Sequence, residues 1–216
     1  LVEYFNSMPV IQFMYPGTEA DDIISYVQSA PSYKDWEKII ISSDKDFFQL
    51  LDDSTLLYRP IQKEVLNKLA LVKKFGIHPN NFALARAMAG DPSDNLGSVG
   101  GVGLKTISKR FPFLAEEKSY TIDELLDFCA KSNETKKIKA FENVLEKEDI
   151  LRRNYKMMQL YAPLLTIESK KDINNILENA DISFNKTEII KLMDADGFGN
   201  FDWFELQGNL NRIVAG

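Results

Sequence analysis

Seven carboxylates fall into three short clusters. Glu19, Asp21 and Asp22 stand in Glu19-Ala20-Asp21-Asp22, Asp44 and Asp46 in Ser43-Asp44-Lys45-Asp46, and Asp91 and Asp94 in Gly90-Asp91-Pro92-Ser93-Asp94-Asn95. Each cluster alone has an ordinary explanation: acids in a first helical turn, an N-cap, a pair of turn residues. Two aspartates crowded at a strand end are costly unless a cation joins them. The one histidine, His78 in Gly76-Ile77-His78-Pro79, is expected to be a surface turn residue, which leaves the acids without an imidazole partner. An all-oxygen donor set suits magnesium, with manganese able to substitute, and disfavours zinc. Such a set serves a site where two metal ions clamp a phosphate and lower the pKa of an attacking water. Asp21, Asp44 and Asp46 are the catalytic candidates among them.

A second element could hold phosphate without reading sequence. Val99-Gly100-Gly101-Val102-Gly103-Leu104-Lys105-Thr106 frees backbone amides to approach a phosphate, and a helix is expected to start at Gly103 or Leu104. Lys105 and Lys109, one turn apart, face the same way. A plain flexible glycine loop is the alternative. The nucleotide-binding P-loop pattern is absent, because no Gly-Lys-Ser/Thr follows at the required spacing.

These groups need elements to position them. The apolar runs 10–14 and 39–41 and the stretch 55–58 predict strands, the second of them buried on both faces as in a parallel sheet. Thr18 is the expected N-cap of a helix over 19–29, and a short helix is expected over 46–51. The alternation predicts an α/β domain with a parallel sheet, placing Asp44 and Asp46 beyond the carboxyl end of a strand, where such sheets bind ligands. From Val65 onward helices dominate, predicted over 66–75, 79–89, 104–111, 121–131, 136–147, 173–179 and 186–194. The expected division is 1–64 for the later part of an α/β core and 65–216 for a helical region.

Composition bounds the rest. Of 216 residues, 44% are hydrophobic and 27% charged, which is ordinary for a globular chain. No apolar run is long enough to span a bilayer, no secretory signal is visible, and a cytoplasmic monomer is expected. The lone Cys129 excludes an internal disulfide and a cysteine-based zinc site; a small buried apolar role on a helix is expected. The net charge of −6 argues against DNA binding unless the acids gather at a metal site.

Taken in order, Glu19-Ala20-Asp21-Asp22, Ser43-Asp44-Lys45-Asp46-Phe47, Gly90-Asp91-Pro92-Ser93-Asp94-Asn95 and Gly101-Val102-Gly103-Leu104-Lys105 resemble the motifs of the 5′-nuclease, or flap-endonuclease, superfamily, whose core is PIN-like. The stretch Ile40 to Asp44 with Asp46-Phe47 and Gln49-Leu50 is most similar to the phage branch, of the T-even ribonuclease H type. The resemblance covers residues 10–112. It implies Glu19, Asp21, Asp22 and Asp44 around a first magnesium ion, and Asp46, Asp91 and Asp94, often through water, around a second. It implies a helix–three-turn–helix over about 79–112, with Gly101, Gly103, Lys105, Thr106 and Lys109 against DNA and a potassium ion on the backbone carbonyls of Val99 and Val102. The activity implied is 5′-3′ exonuclease and flap cleavage in replication or repair, including removal of RNA primers. Its substrate is DNA or an RNA–DNA duplex with a 5′ single-stranded end, and replication proteins such as a single-strand-binding protein or a sliding clamp are the implied partners. It also implies aspartate-bearing strands and a helical arch preceding the Glu-Ala-Asp-Asp motif, expected on a segment before Leu1 or on another polypeptide. A non-catalytic DNA-junction-binding module is the alternative.

Two further patterns compete with blander readings. Asp194-Ala195-Asp196-Gly197-Phe198-Gly199-Asn200-Phe201-Asp202-Trp203-Phe204-Glu205 resembles a calcium-binding loop, with acids at positions one, three, nine and twelve, but Phe198 at position five has no ligand atom. A helix–helix connection is the favoured expectation there. Lys136-Lys137-Ile138-Lys139 and Arg152-Arg153 are expected to be solvated faces, with duplex phosphate contact as the functional alternative.

Overall fold

The computed structural model describes residues 1–180, 182–198 and 202–215, the last five without their side chains. The chain forms two compact units: Glu19–Leu164, and Leu1–Thr18 together with Leu165–Gly216.

The larger unit is mixed α/β. Its three-stranded sheet runs β1 (Lys38–Ile41), β2 (Thr55–Arg59), β3 (Glu64–Leu66), in that spatial order. β1 pairs parallel with β2, and β3 returns antiparallel. The register sets Ile40, Leu57 and Leu66 in one row, and all three are buried. The next row, Ile41, Tyr58 and Val65, lies on the opposite face, where Ile41 is 70% and Val65 59% exposed. The expectation that β1 is covered on both faces is therefore corrected: among the described residues one face is packed, and Ile39 and Ile41 stand on the open one. A second correction concerns 10–14, which is not a strand. Its apolar residues find no neighbouring strand, and a lone extended segment leaves its ladder groups unpaired.

Two helices precede the sheet in the chain, α1 (Val2–Asn6), which belongs to the smaller unit, and α2 (Ala20–Ser29); after the sheet come α3 (Lys68–Phe75), α4 (Phe82–Ala89), α5 (Leu104–Arg110), α6 (Ile122–Thr135), α7 (Lys139–Glu146) and α8 (Glu148–Met158). α4 is the axis of the unit: from Phe82 to Met88 every residue is buried. Asn154 of α8 is fully buried and donates to the carbonyls of Ala87 and Gly97, fixing the end of α4 and the turn beyond it. Thr121 and Glu124 form a reciprocal capping box that starts α6. Cys129 is fully buried on α6, and burial pushes its thiol up to about 12, so it serves as a small apolar residue. His78 corrects another expectation. It is 7% exposed, its Nδ1 accepts from the amide of Asn80, and its own amide donates to Leu114 O, so it caps the turn into α4 from inside.

The smaller unit carries α1, α9 (Ile167–Asn179), α10 (Lys186–Ala195) and α11 (Trp203–Ala215). The amide of Asn185 donates to Ser7 O, and Tyr4 Oη donates to Asp196 Oδ2 at 2.7 Å. Of the calcium-loop pattern, Gly199, Asn200 and Phe201 lie outside the described residues. Asp202 accepts from the amides of Phe204 and Glu205 and so caps α11. Among the described residues no helix is long and apolar enough to cross a membrane.

Candidate metal centre and phosphate-binding turn

The acids are delivered by three elements. Glu19 is the N-cap residue of α2, with Asp21 and Asp22 in its first turn. Thr18, the expected N-cap, stands one residue before it, and Glu19 caps without a side-chain hydrogen bond. Asp44 and Asp46 follow β1 directly: Asp44 Oδ1 accepts from the amide of Asp46 at 2.9 Å and starts the 3₁₀ turn Asp46–Leu50. Asp44 thus stands one residue before Lys45, the N-cap of that turn, and shapes the entry to it as well as being a site candidate. Asp91 ends α4 through Gly90, whose φ of +73° and ψ of 174° belong to glycine; a Cβ there would lie 2.5 Å from Leu96 O. The turn closes on itself by two 2.8 Å backbone bonds between Asp91 and Leu96.

Electrostatics show which acids face one another. The Asp21 carboxyl is pushed up to about 6, first by burial and then by Asp44, Asp46, Glu19 and Asp22. Asp46 is raised by burial, pulled back by Arg86, and pushed again by Asp44 and Asp91. Asp91 goes the other way, to about 2, held down first by the Ser93 hydroxyl and also by Arg86 and the Ser93 amide. Glu19, Asp21, Asp22, Asp44, Asp46 and Asp91 therefore form one connected line. Asp22 also accepts from the amide of Leu164 at 3.0 Å. Asp94 is exposed and stands apart from this set of interactions. Among the described residues no three of these side chains converge closely enough to hold an ion as they stand.

One residue at the centre was not flagged by its spacing. Arg86, on α4 and 7% exposed, donates from Nε to Asp46 Oδ1 at 2.9 Å and from Nη2 to Asp91 Oδ2. The only visible signal is a single charge inside the apolar helix Phe-Ala-Leu-Ala-Arg-Ala-Met-Ala. Next to Asp44 in the chain, Ser43 Oγ is buried with no hydrogen-bond partner.

The glycine-rich segment joins α4 to α5. Gly100 and Gly101 have φ of +97° and +66°, while Val99 and Val102 between and beside them are buried. Asn143 Nδ2 donates to Gly100 O at 2.7 Å, and the Gly100 amide donates to Ser98 Oγ. Gly103 is the N-cap of α5, and the amides of Thr106 and Ile107 return to its carbonyl. Lys105 and Lys109 are exposed on α5, and Lys136 and Lys137 are exposed ahead of α7. Arg152 is committed to Asp123 and Glu148.

With this geometry in hand, comparison with known proteins places the chain. Residues 1–76 match the family model described as the 5′-3′ exonuclease N-terminal resolvase-like domain. Over that stretch the chain is similar to the 5′-3′ exonucleases. It is 31% identical over 180 residues to a 5′-3′ exonuclease of Aquifex aeolicus, covering 82% of this chain and 56% of that protein. It is 37% identical over 107 residues to the thermostable DNA polymerase I of Thermus aquaticus, covering 50% of this chain and 13% of the polymerase. The chain thus spans about half the length of the first of these relatives and a small part of the second. In fold it is similar to the flap endonuclease of bacteriophage T5 solved with DNA and metal ions, at a TM-score of 0.61 and 22% identity, over 77% of this chain and 62% of that one. The T5 5′-exonuclease with bound zinc gives a TM-score of 0.61 over 78% of this chain.

Proposed function

We propose that this chain carries the acidic metal-binding line and the duplex-holding turn of a divalent-metal-dependent, structure-specific 5′-nuclease. The observation that carries the reading is Asp21, a half-buried carboxyl crowded by four other acids drawn from α2 and from the end of β1. Like charges gathered at that cost need a cation, and hard oxygen donors without imidazole fit magnesium or manganese. The unpartnered Ser43 Oγ adds a further oxygen beside Asp44. Glu19, Asp21, Asp22 and Asp44 would hold the first ion, and Asp46, Asp91 and Asp94 would reach a second through water. Bound there, the ions supply charge on the scissile phosphate and an acidified water.

The chain's own residues do the positioning. β1 ends where Asp44 and Asp46 must stand, and the Asp44 carboxylate, accepting from the Asp46 amide, fixes the start of the turn that carries Asp46. The α4–glycine turn–α5 unit is read as the helix–three-turn–helix. The Gly101 and Gly103 backbone, Thr106, Lys105 and Lys109 would lie along one duplex strand, with potassium on the carbonyls of Val99 and Val102. Such contacts position the substrate without reading sequence. The substrate class is DNA or an RNA–DNA duplex with a 5′ single-stranded end, and any replication partner belongs to the same proposal.

The test is cleavage of a labelled 5′-flap duplex with magnesium, by the parent and by Asp44→Asn. A loss of about 10–100-fold in metal affinity, with a matching loss of cleavage, is expected from removing one inner carboxylate. Full-rate cleavage by Asp44→Asn would sink the ligand assignment. The absence of any ready-made trio of acids favours one second reading, a junction-binding module. Flap binding with no turnover at any metal concentration supports it.

A further inference from the structure

We infer that Asn143, on α7, is a positioning residue of the glycine-rich turn: it fixes the Gly100–Gly101 peptide so that the Gly101 N–H faces a phosphate of the bound duplex. The inference rests on the duplex-holding reading above and goes beyond it by naming what aims the turn.

The turn is held at both ends but not in its middle. Val99 and Val102 are buried, and the Val99 amide donates to Met88 O at 3.0 Å. Between them stand Gly100 and Gly101, with φ of +97° and +66°. Glycine takes either sign of φ about as readily, so the peptide joining the two has two orientations open to it. In one its N–H points out of the turn, and in the other its carbonyl does. An outward carbonyl repels a phosphate, whereas an outward N–H binds it.

α7 makes the choice. Asn143 Nδ2 donates to Gly100 O at 2.7 Å, which turns that carbonyl toward α7. A trans peptide sets its N–H opposite its C=O, so the Gly101 N–H points away from α7. Among the described residues that amide has no hydrogen-bond partner. Gly101 is exposed, and a Cβ there would meet nothing within 4 Å, so the approach to the N–H is open. Lys147, one turn after Asn143, lies on the same side: its Nζ is 3.0 Å from where a Gly100 Cβ would stand. Among the described residues Lys147 makes no ion pair. A cation there favours the carbonyl end of the peptide dipole and so reinforces the same orientation. The glycines give the turn its freedom, and Asn143 removes it.

The experiment titrates the whole isotope-labelled chain with a short blunt DNA duplex, in chelator so that nothing is cut. Amide NMR shifts report on the turn, and fluorescence anisotropy gives the affinity. In the parent the Gly101 amide is expected to move downfield as the duplex saturates. Asn143→Leu, which keeps size and removes the donor, is expected to lose that shift and about five- to tenfold in affinity, the scale of one hydrogen bond. Its salt dependence is expected to keep the parent's slope, because no cation leaves the interface, whereas Lys105→Ala should lower the slope by about one. Three results overturn the inference while leaving the duplex-holding reading intact. One is a parent Gly101 amide that stays still at saturation, which needs no variant to fold. Another is a folded Asn143→Leu that binds and shifts like the parent. The third is an affinity loss in Asn143→Leu that comes with a lower salt slope or with the Gly101 shift retained. No duplex binding by the parent, or parent-like binding when Lys105→Ala and Lys109→Ala are combined, overturns the duplex-holding reading and the inference with it.

Discussion

Asp21 and Asp91 are the same residue type in one acidic line, yet they titrate in opposite directions. Asp21, at the start of α2, is driven to about 6 by burial and by other acids. Asp91, at the end of α4, is held at about 2 by Ser93 and Arg86. The first half of the line stores repulsion that a proton or an added cation relieves. In the second half one guanidinium, shared by Asp46 and Asp91, already offsets part of the charge. A carboxylate's role is therefore set by what faces it, not by its motif.

The strongest way to break the contrast is to remove its cause. Arg86→Met leaves Asp46 and Asp91 as buried charges without a partner, and breaking a buried pair from one side costs about 3–5 kcal/mol. Urea unfolding of the metal-free protein measures it. A loss below about 1 kcal/mol would mean that water already compensates both acids. The second half then would not differ from the first.

Next in size is Gly90→Ala. The turn that presents Asp91 needs a backbone conformation open to glycine, and the new Cβ would overlap Leu96 O and Ser98 N. A backbone strain and displacement cost of about 3 kcal/mol is expected in thermal unfolding. Gly101→Ala, where φ is also positive but nothing lies within 4 Å, should cost about 1 kcal/mol, from strain alone. Equal losses at the two positions would show that the crowding at Gly90 carries no weight.

What the sequence showed of this site was chemical type, and what it hid was tertiary neighbourhood. The three acidic clusters are legible because oxygen donors without histidine have few other uses in such numbers. The strand end at Ile41 was legible from its β-branched run, and the start of α5 from its glycines. Arg86 was not legible: a charge inside an apolar helix has no partner until β1 brings Asp46 alongside. α8 was hidden for a similar reason, since one of its fully buried residues is the polar Asn154, which weakens the apolar period. The run 10–14 misled in the other direction, being apolar enough for a strand but lacking a neighbour to pair with. The same β-branched run that located β1 overstated its burial, because composition cannot say that only the Ile40 face is covered.

The smallest expected effects carry the sharpest test, because they differ in sign. Asp21 has a folded pKa above its unfolded one, so the folded state holds the extra proton between about pH 4 and 6. Stability of the metal-free protein falls as pH rises through that window, and the full penalty stands above it. Asp21→Asn removes the penalty: its melting temperature should match the parent near pH 4 and exceed it at pH 7. Asp91 has a folded pKa below its unfolded one, so its contribution is present above about pH 4 and lost as pH falls toward 2. Asp91→Asn should cost about 1.5 kcal/mol at pH 7, the scale of a hydrogen bond to a charged group, and converge with the parent in strong acid. Melting curves of both variants across pH 2.5–8 in chelator decide the matter. Divergence from the parent in opposite directions at pH 7 establishes two halves of different character. Divergence in the same direction means that Arg86 does not partition the line.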